Sequence, residues 1–281
     1  MSGPSRSTVP TAGPVRSFDF PSVSAGALDN GLRLRSVQVP RLPVVTAMIV
    51  LDAGEGRLAG GQAGIAVQTG DCLEGGTARR TGVELAEALE AIGVGLSVGT
   101  GWDSTTVSLS CMADRLDEAM GLLAEVLLQP SFPEDEVERI RGQRLAAIRQ
   151  REMDPAGVAT LASRRLTYAD GVPYGRPLSG TMESVGPFTT DSARGFSDAR
   201  YRPDGSGFVV VGDVDAGQVR ALAETHFGDW TGARERRPEI DAEPRTRART
   251  IVVVPRTDAV QSEIRIGHIG QTRGTSHYFA L

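Results

Sequence analysis

Hydrophobic and polar residues alternate along several short stretches of the chain, and this period of two predicts β-strands. The Asn30-Gly31 pair lies just before the first stretch and indicates a tight turn, because Asn-Gly tolerates positive φ angles. Half-buried or buried strands are predicted over residues 32–39, 44–53, 94–100, 104–110 and 207–211. The pattern therefore predicts a sheet whose strands are separated by other elements.

Apolar residues at helical spacing predict helices between these strands. Thr81 is suited to cap a helix that runs through Ala91, and Pro133 with the acidic residues after it suits a first helical turn. The helices are predicted to begin near residues 65, 81, 114, 133, 156, 190 and 216. Strands and helices in this order indicate an α+β fold.

The distribution of proline, serine and charge predicts four regions along the chain. Residues 1–25 have no acid before Asp19 and are expected to form a flexible leader, followed by a domain over 26–230. Residues 231–249 are charged, proline-bearing and aperiodic, which predicts a linker. Residues 250–281 are expected to begin a second domain, with strands at 250–254 and 263–267, that is left incomplete at Leu281.

The composition excludes several classes of protein. Among 281 residues, 40% are hydrophobic and 23% charged, as in a folded protein, and no apolar run approaches the roughly 20 residues of a membrane span. All 30 cationic residues are arginines, but 35 acidic residues interleave with them, so a nucleic-acid partner is not expected. Two cysteines cannot form a disulfide scaffold, which favours the cytoplasm, with organellar targeting or export left open.

One stretch carries a family resemblance. Residues 64–77, which read GIAVQTGDCLEGGT, follow two strands and a glycine-rich loop and precede a helix and two further strands. Together with Pro130-Ser131-Phe132, Tyr174-Gly175-Arg176-Pro177 and Tyr201-Arg202-Pro203, this order resembles the insulinase/pitrilysin family of zinc peptidases, especially the branch of the mitochondrial processing peptidase. The resemblance implies a mixed, mainly antiparallel sheet covered by helices, and a second similar domain.

The resemblance also implies where the zinc site would lie. The family has an inverted His-x-x-Glu-His motif, which places the first histidine at Val67, the catalytic base at Gly70 and the second histidine at Asp71. The third ligand, a glutamate on a long helix, falls at Ala147. Valine, glycine and alanine carry no donor atoms, and a lone carboxylate binds zinc weakly. We therefore expect no catalytic residue and no metal ligand in this chain, with zinc only in a partner.

Three functions follow from this resemblance. The first is a non-catalytic subunit that pairs with a motif-bearing peptidase subunit and encloses peptide substrates, whose contact residues the sequence does not assign. The second is a structural assembly subunit, like the core proteins of respiratory complexes. The third is a divergent peptidase that acts alone and holds zinc through Asp71. A relocated metal site at Asp71, Cys72 and Glu74 is disfavoured, since adjacent helical residues project about 100° apart.

Overall fold

The computed structural model describes residues 13–14, 17–233, 240–257 and 260–280. Most of the predicted leader lies outside these residues. Six strands form one sheet in the order β1-β2-β6-β3-β5-β4, in which β2 and β6 are parallel and all other neighbours antiparallel. The strands are Ser24–Ala27 (β1), Arg33–Gln38 (β2), Val44–Leu51 (β3), Gly95–Thr100 (β4), Thr105–Met112 (β5) and Gly207–Gly212 (β6). This confirms the α+β class and the mainly antiparallel sheet.

Eight α-helices accompany the sheet within the described residues. They are Ile65–Asp71 (α1), Gly82–Ala91 (α2), Leu116–Leu128 (α3), Glu134–Met153 (α4), Pro155–Thr167 (α5), Met182–Val185 (α6), Thr190–Arg200 (α7) and Ala216–Phe227 (α8). All but the one-turn α6 were predicted from helical spacing. None of the helices in this part of the chain is long and apolar enough to cross a membrane.

The alternation along the strands divides the sheet into a covered and an open face. On β3, Val45, Ala47, Ile49 and Leu51 are fully buried in one core cluster with apolar residues of α3, such as Met120. Each fully buried side chain of this size contributes about 1.5–3 kcal/mol through the area removed from water. The intervening positions stay accessible, and Val44, Met112 and Val211 are 40%, 47% and 40% exposed.

Side-chain caps fix where several helices begin. Thr81 accepts the Glu84 backbone N–H while Glu84 accepts the Thr81 N–H, a reciprocal capping box that confirms the predicted start of α2. Asp154 likewise accepts the Gly157 N–H and begins α5 at Pro155. The helix predicted to begin near residue 114 starts two residues later: Asp114 lies in a 3-10 turn over Ala113–Arg115, and α3 begins at Leu116 without a side-chain cap.

The predicted strands at 250–254 and 263–267 are also wrong. Both stretches are irregular and largely exposed, with Ile251 78% and Ile266 95% accessible. A strand needs a neighbouring backbone to satisfy its N–H and C=O groups, and no described strand lies beside either stretch. Conversely, β1 overlaps the end of the predicted leader, because Ser24 and Ala25 pair with β2. The proposed domain boundaries stay predictions.

The predicted linker makes specific contacts with the preceding domain where it is described. Pro244 forms an antiparallel bridge with Tyr168, just after α5. On either side of that bridge, the Ala169 N–H donates to the Glu243 carbonyl and the Arg245 N–H donates to the Thr167 carbonyl. This part of the linker is therefore held against the end of α5 by backbone hydrogen bonds.

Candidate functional site

The short buried helix α1 carries Val67, Gly70 and Asp71, three of the four positions singled out from the sequence. The residue that precedes it as N-cap is Gly64, where φ is +91° and an added Cβ would lie 2.9 Å from the Ser179 carbonyl oxygen. Only glycine adopts this conformation without strain and also fits the close approach. Since glycine has no side chain, α1 lacks a cap from its own N-terminal residue.

A distant carboxylate, Glu55, replaces that cap. Its Oε2 accepts the Gly64 N–H at 3.0 Å, and its Oε1 accepts the Ala66 N–H at 2.8 Å and the Val67 N–H at 3.3 Å. A carboxylate at a helix N-terminus satisfies donors that the helix itself leaves free and complements the helix dipole. The sequence analysis did not single out Glu55, and a lone glutamate in a glycine-rich loop gives no signal of this role.

Burial dominates the electrostatics of Glu55. The residue is fully inaccessible, and the resulting desolvation raises the pKa of its carboxyl above the usual 4.5. The three backbone N–H groups and the Arg176 guanidinium, 3.9 Å away, lower the pKa but do not outweigh desolvation. Arg176 also donates from Nη2 to the Glu55 carbonyl at 2.7 Å, which ties the loop after α5 to the start of α1.

At the other end of α1, Asp71 forms an ion pair with Arg144 of α4. Both side chains are partly exposed. Arg144 lies three residues before Ala147, so the two residues lie on one side of the helix. The structure therefore places Asp71 against the helix that carries Ala147, and the carboxylate already has a cationic partner.

Gly70 packs directly against β4. A Cβ added at Gly70 would lie 2.6 Å from Thr100 Oγ1, closer than side chains approach one another. Thr100 Oγ1 lies 3.0 Å from Thr105 Oγ1, at hydrogen-bond distance, and the Thr105 hydroxyl donates to the Ala53 carbonyl. A side chain at position 70 must therefore displace Thr100 and disturb these bonds.

These residues do not fit a zinc ion. Asp71 is the only one of the four positions with a donor group, and the Arg144 guanidinium occupies it and repels a cation. Burial raises the pKa of the neighbouring Cys72 thiol to about 12, which keeps it protonated and poor as a ligand. Among the described residues, no group of three or more histidine, cysteine or acidic side chains could hold a metal.

The histidines lie elsewhere in the fold. His226, on α8, has its Nε2 2.9 Å from Asp117 Oδ1 on α3 and so links two helices behind the sheet. His268 contacts the Ile269 carbonyl through Nδ1 in the exposed C-terminal part. The hydrogen-bond partners of both imidazoles therefore lie outside α1.

Comparison with known proteins now identifies the family. Residues 40–181, half of the chain, match the model described as Insulinase (Peptidase family M16). The chain belongs to the insulinase family, M16. Residues 187–281 match the companion model described as Peptidase M16 inactive domain. The family assignment made from residues 64–77 and the accompanying motifs is thereby confirmed.

Individual relatives agree with this membership. An uncharacterized zinc protease of Mycobacterium leprae is 28% identical over 255 residues, which are 90% of this chain and 57% of that protein. The non-peptidase homolog YmxG of Helicobacter pylori is 31% identical over 124 residues, 44% of this chain and 28% of that protein. The chain thus spans little more than half the length of the mycobacterial relative.

A solved structure supports the fold. The peptidase M16 inactive domain from Pseudomonas fluorescens superposes with a TM-score of 0.73 over 78% of this chain and 54% of that chain, at 24% identity. At this identity, the match shows that the two proteins share the fold.

Proposed function

We propose that this chain is a non-catalytic M16 homologue that pairs with a motif-bearing subunit to form a peptide-binding chamber. The observation that carries the proposal is the ion pair between Asp71 and Arg144. A zinc peptidase needs neutral imidazoles, a carboxylate ligand and a carboxylate base around one ion. Here the one available carboxylate is bound by a guanidinium, and zinc is expected only in the partner chain.

The position of the catalytic base supports the same proposal. A glutamate at position 70 requires a Cβ where Thr100 Oγ1 now lies. Introducing a glutamate as base therefore takes more than one substitution, because Thr100 of β4 occupies the space that its side chain needs. A relative that carries the name non-peptidase homolog is in keeping with loss of catalysis within this family.

The exposed edge of the sheet supports peptide binding. β4 is an edge strand that pairs on one side with β5 and packs against α1. Its outer backbone groups are available to an extended peptide, which adds to such an edge as a further strand. The small residues Gly95, Ser97 and Gly99 alternate along it and leave room for the side chains of a bound peptide.

Exposed apolar side chains support pairing with another subunit. Two irregular stretches, residues 250–254 and 263–267, carry apolar side chains that are 73–95% accessible: Ile251, Val253, Ile264 and Ile266. Apolar residues concentrated in this way are typical of surfaces that another protein element covers. In the proposed complex the partner subunit covers this part of the chain.

The proposed compartment is the cytoplasm. The two cysteines, Cys72 and Cys111, are buried and unpaired, which suits a reducing environment.

Metal content and reconstitution test the proposal. The purified chain should contain less than roughly a tenth of an equivalent of zinc, because one ion-paired carboxylate binds zinc weakly. Mixing it with a His-x-x-Glu-His homologue from the same organism should give peptide cleavage that neither chain shows alone and that chelation abolishes. Stoichiometric zinc that is lost in Asp71→Ala would instead support a divergent peptidase.

Co-purification separates the remaining alternative. Co-purification of this chain with a soluble motif-bearing partner supports the proposal. Co-purification with a membrane complex, together with no gain of cleavage when the chain is mixed with a motif-bearing homologue, supports a structural assembly subunit. Arg139→Gln serves as a control variant in the mixing experiment. Arg139 is an exposed arginine of α4, and its ion-pair partner, Glu136, lies in the same helix. This variant should retain the full gain in cleavage.

A further inference from the structure

Two arginines lie on the side of α4 that carries Ala147. Arg144 and Arg151 precede and follow Ala147 by three and four residues, a spacing that places all three side chains on one helix face. Arg144 binds Asp71 at the end of α1. Arg151 donates from Nη1 to Ser179 Oγ at 2.7 Å and from Nη2 to the Gly180 carbonyl at 3.2 Å, next to Gly64 at the start of α1.

The two arginines have one ion-pair partner between them among the described residues. Arg144 has Asp71 as its ion-pair partner, while no carboxylate of the described residues lies within ion-pair distance of Arg151. Burial lowers the pKa of Arg151, Glu152 opposes this effect, and the neighbouring Arg144 adds to it. Guanidinium groups stay protonated in proteins, so Arg151 presents a positive charge that no ion pair among the described residues neutralises.

Donors also outnumber acceptors here. The Nε–H groups of Arg144 and Arg151 are both buried and have no acceptor within the described part of the chain. A buried donor without a partner costs about 1–3 kcal/mol. Val67 on α1 and Ala147 on α4 are apolar and supply no side-chain acceptor.

We propose that Arg144 and Arg151 bind a peptide carboxylate in the place where active relatives hold a metal ion. A guanidinium fork matches the two oxygens of a carboxylate, and a charge-assisted hydrogen bond of this kind is about twice as strong as a neutral one. The inference rests on the proposed function, because that function supplies peptides as the ligands. The carboxylate belongs either to a peptide C-terminus or to an aspartate or glutamate side chain.

Fluorescence anisotropy with labelled peptides tests this site in the full chain. Three peptides of one neutral sequence serve as probes: one with a free C-terminus, one amidated, and one amidated with a single internal glutamate. A carboxylate peptide should bind at least about tenfold more tightly than the neutral one, which corresponds to roughly 1.4 kcal/mol. Preference for the first or the third peptide identifies the source of the carboxylate, and added salt should weaken it.

Variants of the same helix assign the effect to the arginines. Arg151→Gln should remove the preference for a carboxylate, Arg151→Lys should retain part of it, and Arg139→Gln should leave it unchanged. Thermal melting of each variant distinguishes a lost site from a lost fold. Equal binding of all three peptides by the folded wild-type chain, or an unchanged preference in folded Arg151→Gln, would overturn the inference.

The outcome for this site is separable from that of the proposed function. If the carboxylate preference is absent but mixing with a motif-bearing subunit still yields chelator-sensitive cleavage, only the carboxylate site is refuted. If mixing yields no cleavage and no complex, the proposed pairing fails, whichever peptide binds.

Discussion

Substituting Gly70 by alanine tests whether β4 leaves no room for a side chain at position 70, where the family resemblance places the catalytic base. Alanine is favoured over glycine inside a helix by about 1 kcal/mol. Here, however, the new Cβ would meet Thr100 Oγ1 at 2.6 Å and force that hydroxyl to move. Its hydrogen bond with Thr105, worth about 1 kcal/mol, would be lost, and overpacking adds a further 1–3 kcal/mol. Gly70→Ala should therefore lower the free energy of unfolding by about 1–3 kcal/mol.

Removing the obstructing hydroxyl should reverse the sign. In a Thr100→Ala background, the next nearest atoms to the new Cβ are Val98 Cγ1 at 3.4 Å and the Cβ of residue 100 at 3.9 Å, both ordinary van der Waals contacts. The helical preference for alanine then dominates, and Gly70→Ala should stabilise the protein by about 0.5–1 kcal/mol. The four proteins form a double-mutant cycle whose coupling energy, the difference between the two effects of Gly70→Ala, should be about 1.5–4 kcal/mol.

Urea unfolding followed by circular dichroism measures each free energy by linear extrapolation. Gly142→Ala is the matched control, because Gly142 lies in α4 with nothing within 4 Å of an added Cβ. It should raise stability by about 0.5–1 kcal/mol in either background. Equal effects of Gly70→Ala with and without Thr100, within about 0.5 kcal/mol, would refute the argument that this position is closed.

Three further predictions concern buried groups around α1. Glu55→Ala should cost about 3–5 kcal/mol in urea unfolding, because it leaves three N–H donors without an acceptor and the partly buried Arg176 without its carboxylate. By contrast, the exposed substitution Glu87→Ala should change stability by less than about 0.5 kcal/mol. The pKa of Glu55 is raised above 4.5 in the folded state, so just above pH 4.5 the folded protein keeps a proton that the unfolded chain has released. The contribution of Glu55 therefore makes the free energy of unfolding fall as the pH rises from 4.5 towards the raised pKa. Glu55→Gln, which does not titrate, should lack this decline, and an identical pH profile for the two proteins would contradict the assignment. Cys72, fully buried with its pKa raised to about 12, should not react with a thiol reagent at pH 8 until the chain unfolds, and rapid labelling of the native protein at this cysteine would contradict that.

Much of the fold could be predicted because it depends on local periodicity. The strands β2 to β6 and seven of the eight helices follow from apolar spacing, and caps such as Thr81 mark where helices begin. The failures have a common cause. Strand formation at 250–254 depends on a partner backbone, and β1 exists because β2 lies beside it. Neither circumstance is encoded within the segment itself.

The sequence by itself determined the family, the α+β class and the lack of side-chain donor atoms at positions 67, 70 and 147, because those statements need only residue identity and order. The tertiary structure decided how the site is built. Asp71 meets Arg144 across 73 positions and Glu55 meets Arg176 across 121. Such contacts depend on how the helices pack on the sheet, which periodicity does not specify. For this reason the absence of side-chain donor atoms at positions 67, 70 and 147 is evident from the sequence, whereas the contacts of Arg144 and the close packing of Thr100 on Gly70 are evident only in the folded chain.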